Sequence, residues 1–332
     1  MKNSRRQTHL SVASGGAYVV LYSSFFEHLD EMPGGRAFCS EIDTVSGSSA
    51  GALVGSAVAC GIPGKSIHQY ALKSGIRDRF YYLRTAAVMM GLKKTMYNST
   101  YYAGKLRALL AQKDTAHLPL TIAVTNGNLT QKCVRLQNSS IDDIATAAMA
   151  SAAVPFVFSP LRVDPHGYCA DGSCAVNVYP HDTIVDALYN NTGRLVVLNS
   201  CPWPGYRDVD RKTNKPGFLS VQSLLKNYDT QLYDHGMERT FDFHIKPQLQ
   251  YQDGIFQIRV DNRSSPVPTI SETGNLQVIF VAPTAEQYHM CGGAKSKANL
   301  HYKRSDASVI AMQQVARQMA LQFVSEYGSL QF

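Results

Sequence analysis

Ser49 stands at the centre of Gly47-Ser48-Ser49-Ala50-Gly51, between the β-branched run Ile42–Val45 and the small-residue run Ala50-Leu53-Val54-Ala57-Val58. A glycine-flanked serine between a strand and a helix predicts a sharp, strained turn that lifts the hydroxyl clear of the backbone. The positive end of the following helix then points at the oxygen and favours an alkoxide or an adjacent oxyanion. Such a turn can also exist without chemistry, as a small-residue connection or a phosphate cradle. Ser48 offers a second hydroxyl but is not centred between the glycines, so Ser49 is the expected nucleophile, with Gly47 and Gly51 as the supports of its turn.

An attacking serine needs N–H donors for the oxyanion it creates and an acceptor for its proton. Ser14-Gly15-Gly16-Ala17 closes the first apolar run, and its small residues allow a substrate oxygen to approach the backbone. Gly15, Gly16, Ala17 and Ala50, the residue after the nucleophile, are the expected oxyanion hole. The Gly15-Gly16 pair could equally be an ordinary turn. For the acceptor, Tyr168-Cys169-Ala170 delivers Asp171 at the end of a short strand, and Gly172 lets the chain swing away. In a partly desolvated pocket the pKa of that carboxylate would rise, making it a better base. Asp-Gly is also a common β-turn dipeptide. His181, His235, His244, His289 and His301 occur late in the chain, as a Ser-His-Asp esterase would require, yet none has a glycine-rich or turn context that marks it as a base.

These residues must be positioned by a parallel sheet. His9–Ala13 and Ile42–Val45 each read as a strand, a tight turn and a helix, a repeat that predicts parallel strands with helices on both faces. Helical spacing continues over residues 66–75, 84–92 and 101–112. Strands follow at 120–124 and 132–136 around an Asn126-Gly127-Asn128 turn. Ser140 reads as the N-cap of a helix with Asp142 and Asp143 in its first turn. Further strands are expected at 168–170, 195–198, 255–260 and 276–281, a loop at 202–216, and helices at 220–237 and 307–327. Phe80-Tyr81-Tyr82, Met89-Met90 and Tyr101-Tyr102 admit two readings, a buried core or a lipid-facing cap with Lys93 and Lys94 at headgroups.

The 332 residues are 45% hydrophobic and 17% charged, enough to bury a large core. No linker, repeat or low-complexity tract divides them, so one domain is expected: a catalytic core over 8–200 and an elaboration over 201–332 that completes it or packs on it. The net charge of +7 favours anionic surfaces. Its basic residues are scattered and form no nucleic-acid-binding motif, which argues against a nucleic-acid partner. Seven irregularly spaced cysteines predict a reducing compartment. His166, Cys169 and Cys174 lack a fourth ligand, so no metal and no cofactor is expected. The basic N-terminus reaches no apolar h-region before Ser14, which predicts a cytoplasmic chain that meets membranes only peripherally; export without a classical signal peptide stays open.

Residues Ala147–Phe156 and Tyr168–Ser173 through Asn177 and Pro180 resemble the second conserved block of patatin-like phospholipases. With Ser14-Gly15-Gly16 and Gly47–Gly51 they supply the family's motifs in the family's order, over about residues 8–200. The resemblance implies a three-layer α/β/α patatin-like fold with a mostly parallel sheet. It also implies a Ser49–Asp171 dyad without histidine and metal-free cleavage of fatty-acyl esters in phospholipids or neutral lipids. The chain departs from the family at Ser14 in place of a glycine, Tyr18 in place of an arginine, Val19 in place of a glycine, and Ser173 in place of glycine or alanine. Loss of that arginine keeps a second function class open, a lipid- or protein-binding module on the same fold. The expected partners are a phospholipid or neutral-lipid surface, an activating protein, and a second copy or other partner on the terminal helix.

Overall fold

Alternating strands and helices give a mixed α/β fold in the computed structural model, which describes residues 7–73, 81–113, 117–174, 192–200, 256–260, 276–292 and 306–327. The described strands are β1 (Gln7–Val12), β2 (Ile42–Ser48), β3 (Leu120–Asn126), β4 (Gln131–Leu136), β5 (Leu161–Val163), β6 (Gly167–Ala170), β7 (Thr192–Leu198), β8 (Phe256–Val260) and β9 (Leu276–Val281). They form a nine-stranded sheet in the order β5-β6-β3-β2-β1-β7-β9-β8, with β4 also pairing β3. The central pairs β3–β2, β2–β1, β1–β7 and β7–β9 are parallel. The outer pairs β3–β4, β3–β6, β5–β6 and β8–β9 are antiparallel.

Leu195, Val196, Val197 and Leu198 are consecutive and all buried, so both faces of β7 are covered. Continuous apolar strands of this kind belong to parallel sheets between helical layers. The helices are α1 (Val19–Glu31), α2 (Pro33–Glu41), α3 (Ala50–Ala59), α4 (Gly64–Lys73), α5 (Tyr81–Met89), α6 (Ser99–Leu110), α7 (Ile141–Ser151), α8 (Ala285–Met290) and α9 (Asp306–Tyr327) among the described residues. On α9, Phe323 packs edge-on against Phe25 of α1 and Phe38 of α2, at 5.9 and 4.8 Å between ring centres. The last helix therefore shares the core of the first. Ser140 caps α7 as expected, its hydroxyl accepting from the N–H of Asp143 at 3.1 Å.

Some elements were not legible. Helix α2 carries Gly34-Gly35 near its start, which reads as a turn, yet a Cβ on Gly35 would lie 2.2 Å from the Leu29 carbonyl oxygen. The glycine serves close packing against α1. Helix α8 is short and begins with a capping box made by Thr284 and Gln287. The core reading of the Tyr/Met-rich segment fails on α5 and the turn after it, where Leu83, Met89, Met90 and Leu92 are exposed. Val88 there does pack on a core cluster. The expected loop at 202–216 and helix at 220–237 lie outside the described residues, as do Phe80, Asn177, Pro180, His181, His235, His244 and His301. Among the described residues no helix is long and apolar enough to cross a membrane.

Candidate active site

The turn after β2 is built as its glycines require. Ser49 has φ 53° and ψ −122°, a left-handed conformation that a residue with a side chain adopts only under constraint. The constraint is close packing on both sides. A Cβ on Gly47 would come 2.5 Å from the Gly51 carbonyl oxygen, and one on Gly51 would come 2.1 Å from the oxygen of Val12. The elbow is thus wedged against the end of β1, with α3 beginning at Ala50.

Register brings the acid to the serine. Ser48 of β2 pairs with Ala123 of β3, and Ala170 of β6 pairs with Thr125 on the same edge of that strand, just past the end of β2, because β4 takes the other edge. One residue further along each chain, Ser49 and Asp171 both come level with Val124. The Ser49 hydroxyl donates to Oδ2 of Asp171 at 2.7 Å. Asp171 is 2% exposed. Burial pushes its pKa above the ordinary carboxylate value, and hydrogen bonds from Ser173 and Ser49 pull it part of the way back. Ser173 donates both its backbone N–H, at 2.9 Å, and its hydroxyl to Oδ1. Ser173, one of the residues that depart from the usual pattern, therefore grips the oxygen that Ser49 leaves unused.

Ser151, at the end of α7, ties the two halves of the site together. Its hydroxyl accepts from the Ser49 N–H at 2.8 Å and donates to the Ala123 carbonyl. Its own carbonyl accepts from the Gly172 N–H at 3.0 Å, and the Ala153 carbonyl accepts from the Asp171 N–H at 3.0 Å. The sequence carried a faint signal for this role, a lone hydroxyl in the alanine-rich run 147–153. Ser151→Ala would leave the buried Ser49 N–H without its partner, so a loss of about 1–3 kcal/mol in urea-unfolding stability is expected. A variant as stable as the wild type would sink this reading of the hydroxyl.

Gly16, Ala17 and Ala50 line an open pocket with Ser49, together with Val19, Leu53, Tyr70, Tyr102, Met149, Ala152 and Phe158. Most of these lining side chains are apolar, with the Ser49 hydroxyl and the two tyrosines as the polar groups. Gly16 has φ 51°, which glycine adopts without penalty. Gly15 is not among the lining residues. It stands behind them, where a Cβ would meet the Tyr22 ring at 3.0 Å and the Ser200 hydroxyl at 3.2 Å. Ala50 is the first residue of α3, so its N–H has no partner within the helix. Tyr18 is buried and stacks on Tyr288 of α8 at 5.6 Å, away from the pocket wall. Val19 does reach the wall.

Other candidates are accounted for by packing. The Ser48 hydroxyl accepts from that of Ser14 at 3.2 Å and is buried behind the elbow. Half-buried His9 sits between the hydroxyls of Thr44 and Ser46, and desolvation pushes its pKa down to about 4. His68 bridges Ser23 and Gln313. Cys169 is buried in the core cluster, and among the described residues no three His, Cys, Asp or Glu side chains gather as metal ligands.

A sequence-family model described as patatin-like phospholipase matches residues 10–185, more than half of the chain. Comparison with curated proteins gave no match. Among solved structures, VipD from Legionella pneumophila is 14% identical with a TM-score of 0.43, the similarity covering 98% of this chain and 68% of VipD. Full-length ExoU from Pseudomonas aeruginosa, solved in complex with SpcU, is 14% identical with a TM-score of 0.29 over 44% of this chain and 38% of that one. A second structure of the type III effector ExoU is 15% identical with a TM-score of 0.30 over 72% and 53%.

Proposed function

The chain belongs to the patatin-like phospholipase family, and from that premise we propose that it is a lipid acyl hydrolase of phospholipase A type, working through Ser49 and Asp171. The observation that carries this reading is the 2.7 Å hydrogen bond from the Ser49 hydroxyl to a buried carboxylate, beside a pocket lined by apolar side chains. In acylation Asp171 takes the Ser49 proton as Oγ attacks the ester carbonyl. The N–H groups of Gly16, Ala17 and Ala50 face the resulting oxyanion. Collapse breaks the ester bond, and Asp171 returns the proton to the departing alcohol, leaving a fatty acyl group on Ser49. Water, deprotonated by Asp171, then attacks that ester; the bond from the acyl carbon to Ser49 Oγ breaks as Asp171 returns the proton to Oγ, and the fatty acid leaves. No step calls for a metal. With no arginine at position 18, stabilisation of the oxyanion falls to backbone donors and the α3 dipole.

Fatty-acid release from mixed phospholipid and neutral-lipid vesicles, with and without cell lysate as a source of an activating protein, tests the proposal. Release identifies the lipid class directly. No release under either condition would move the reading to a binding module on the same fold.

Ser173 makes the pH profile informative. Asp171 must be ionised to accept a proton, and the Ser173 hydroxyl lowers a pKa that burial raises. Ser173→Ala is therefore expected to move the acid limb of kcat/KM to higher pH while the alkaline plateau stays close to wild type, and Ser173→Thr should restore the limb. An unmoved limb would mean that another group sets it.

A further inference from the structure

The exposed apolar residues of this protein are not scattered evenly. Helix α5 and the turn after it present Leu83 at 69% exposure, Met90 at 66% and Leu92 at 72%, with Met89 beside them. Leu83, Ala86 and Met90 recur at helical spacing, and all three are exposed, so this face of α5 is turned to solvent. The opposite side carries Val88, which packs on a cluster containing Tyr97, Met149, Ala152 and Phe158. Three members of that cluster, Met149, Ala152 and Phe158, also line the pocket. The exposed face is therefore one layer of side chains away from Ser49's pocket.

Two more exposed aromatic residues join it. The Met96 N–H donates to the Phe156 carbonyl at 3.0 Å, linking the segment after α5 to exposed Phe156. Exposed Tyr101 meets Tyr102, a pocket residue, edge-on at 5.3 Å. The charge on this stretch has one sign: from residue 81 to residue 113 there is no Asp or Glu, while Arg84, Lys93, Lys94, Lys105, Arg107 and Lys113 are basic. Arg107 is paired with Asp142 and Lys105 lies 4.6 Å over the Tyr101 ring. Lys93 and Lys94 are exposed directly beside Leu92.

An apolar patch of this kind is costly in water, and adjacent lysines make it complementary to an anionic interface. We propose that the face formed by Leu83, Met89, Met90 and Leu92, with Lys93 and Lys94 at its edge and Phe156 and Tyr101 beside the pocket, docks on an anionic phospholipid bilayer. The apolar side chains enter the headgroup and acyl boundary, the lysines hold the phosphates, and the pocket mouth is set against the bilayer. This rests on the lipid-hydrolase reading for its purpose, but the binding step does not require turnover.

The test uses the full chain in the Ser49→Ala background, sedimented with vesicles of phosphatidylcholine alone or mixed with phosphatidylglycerol. Binding is expected to be stronger on the mixed vesicles and to weaken with salt. M90E/L92E and, separately, K93E/K94E should each weaken it by about tenfold or more. In the catalytic background the same pairs should lower vesicle hydrolysis while leaving turnover of a monomeric short-chain ester unchanged. Variants that bind like the parent, or a parent that does not bind mixed vesicles, would overturn the proposal. So would a dimer in solution that M90E/L92E dissolves, because the occupant of the face would then be a second copy. Absent ester turnover with vesicle binding that falls as expected would instead sink the hydrolase reading and support the docking face.

Discussion

Ser49→Ala and Asp171→Asn are each expected to reduce fatty-acid release by about a thousandfold or more, with a His235→Ala control close to wild type. The reason is that the two side chains act as one unit: without the hydroxyl there is no acyl-enzyme, and without the carboxylate nothing takes the proton. Loss in His235→Ala instead would favour a Ser-His-Asp esterase. The Asp171 variant also carries a stability signature. Burial raises the folded-state pKa of Asp171 above its unfolded value. The stability linked to that proton is fully present below the unfolded pKa and lost as pH rises through the folded one. An asparagine side chain does not ionise, so the Asp171→Asn variant should melt higher than wild type at neutral pH, and the gap should close in acid. A lower melting temperature at neutral pH would mean that the hydrogen bonds from Ser49 and Ser173 outweigh the burial of the charge.

The second large effect is expected at Gly51. An alanine Cβ there would sit 2.1 Å from the Val12 carbonyl oxygen and 2.4 Å from that of Ala13, both backbone atoms of the central strand and the turn after it. Nothing flexible is available to move aside, so β1 and α3 must separate. Gly51→Ala should lose about 3 kcal/mol of stability, measured by denaturant unfolding, and most of its activity with it. Gly172→Ala should behave alike, since its Cβ would lie 2.1 Å from the Ala123 carbonyl oxygen. Gly104 in α6 is the control, because a Cβ there meets nothing within 4 Å. Gly104→Ala should stabilise the protein by about 0.5–1 kcal/mol through helix propensity. If Gly51→Ala proved as harmless as Gly104→Ala, the elbow would not be wedged as described.

Local chemistry was legible because it is local. The glycines around Ser49, the Ser140 cap and the alternation of apolar runs with turns each act within a few residues, so the elbow, the parallel core strands and most helices could be read directly. Helix α2 escaped because Gly35 answers to a carbonyl of α1, a contact that periodicity does not record. The choice between core and surface for Met89 and Met90 stayed open for a related reason: an apolar stripe at helical spacing is the same pattern whether its partner is a core or an interface.

The candidate site divides along the same line. By itself the sequence determined which residues could serve, a serine held in a glycine turn, an aspartate at a strand end and small residues where backbone must come close. Only the tertiary structure decided that Ser49 and Asp171, 122 residues apart, meet where β2 and β6 end beside each other on one edge of β3. It also decided that Ser151 and Ser173 hold them there, and that Gly16, Ala17 and Ala50 rather than Gly15 face the pocket. Sheet register and helix docking arise from burial summed over the whole core, and no short window of residues contains that sum.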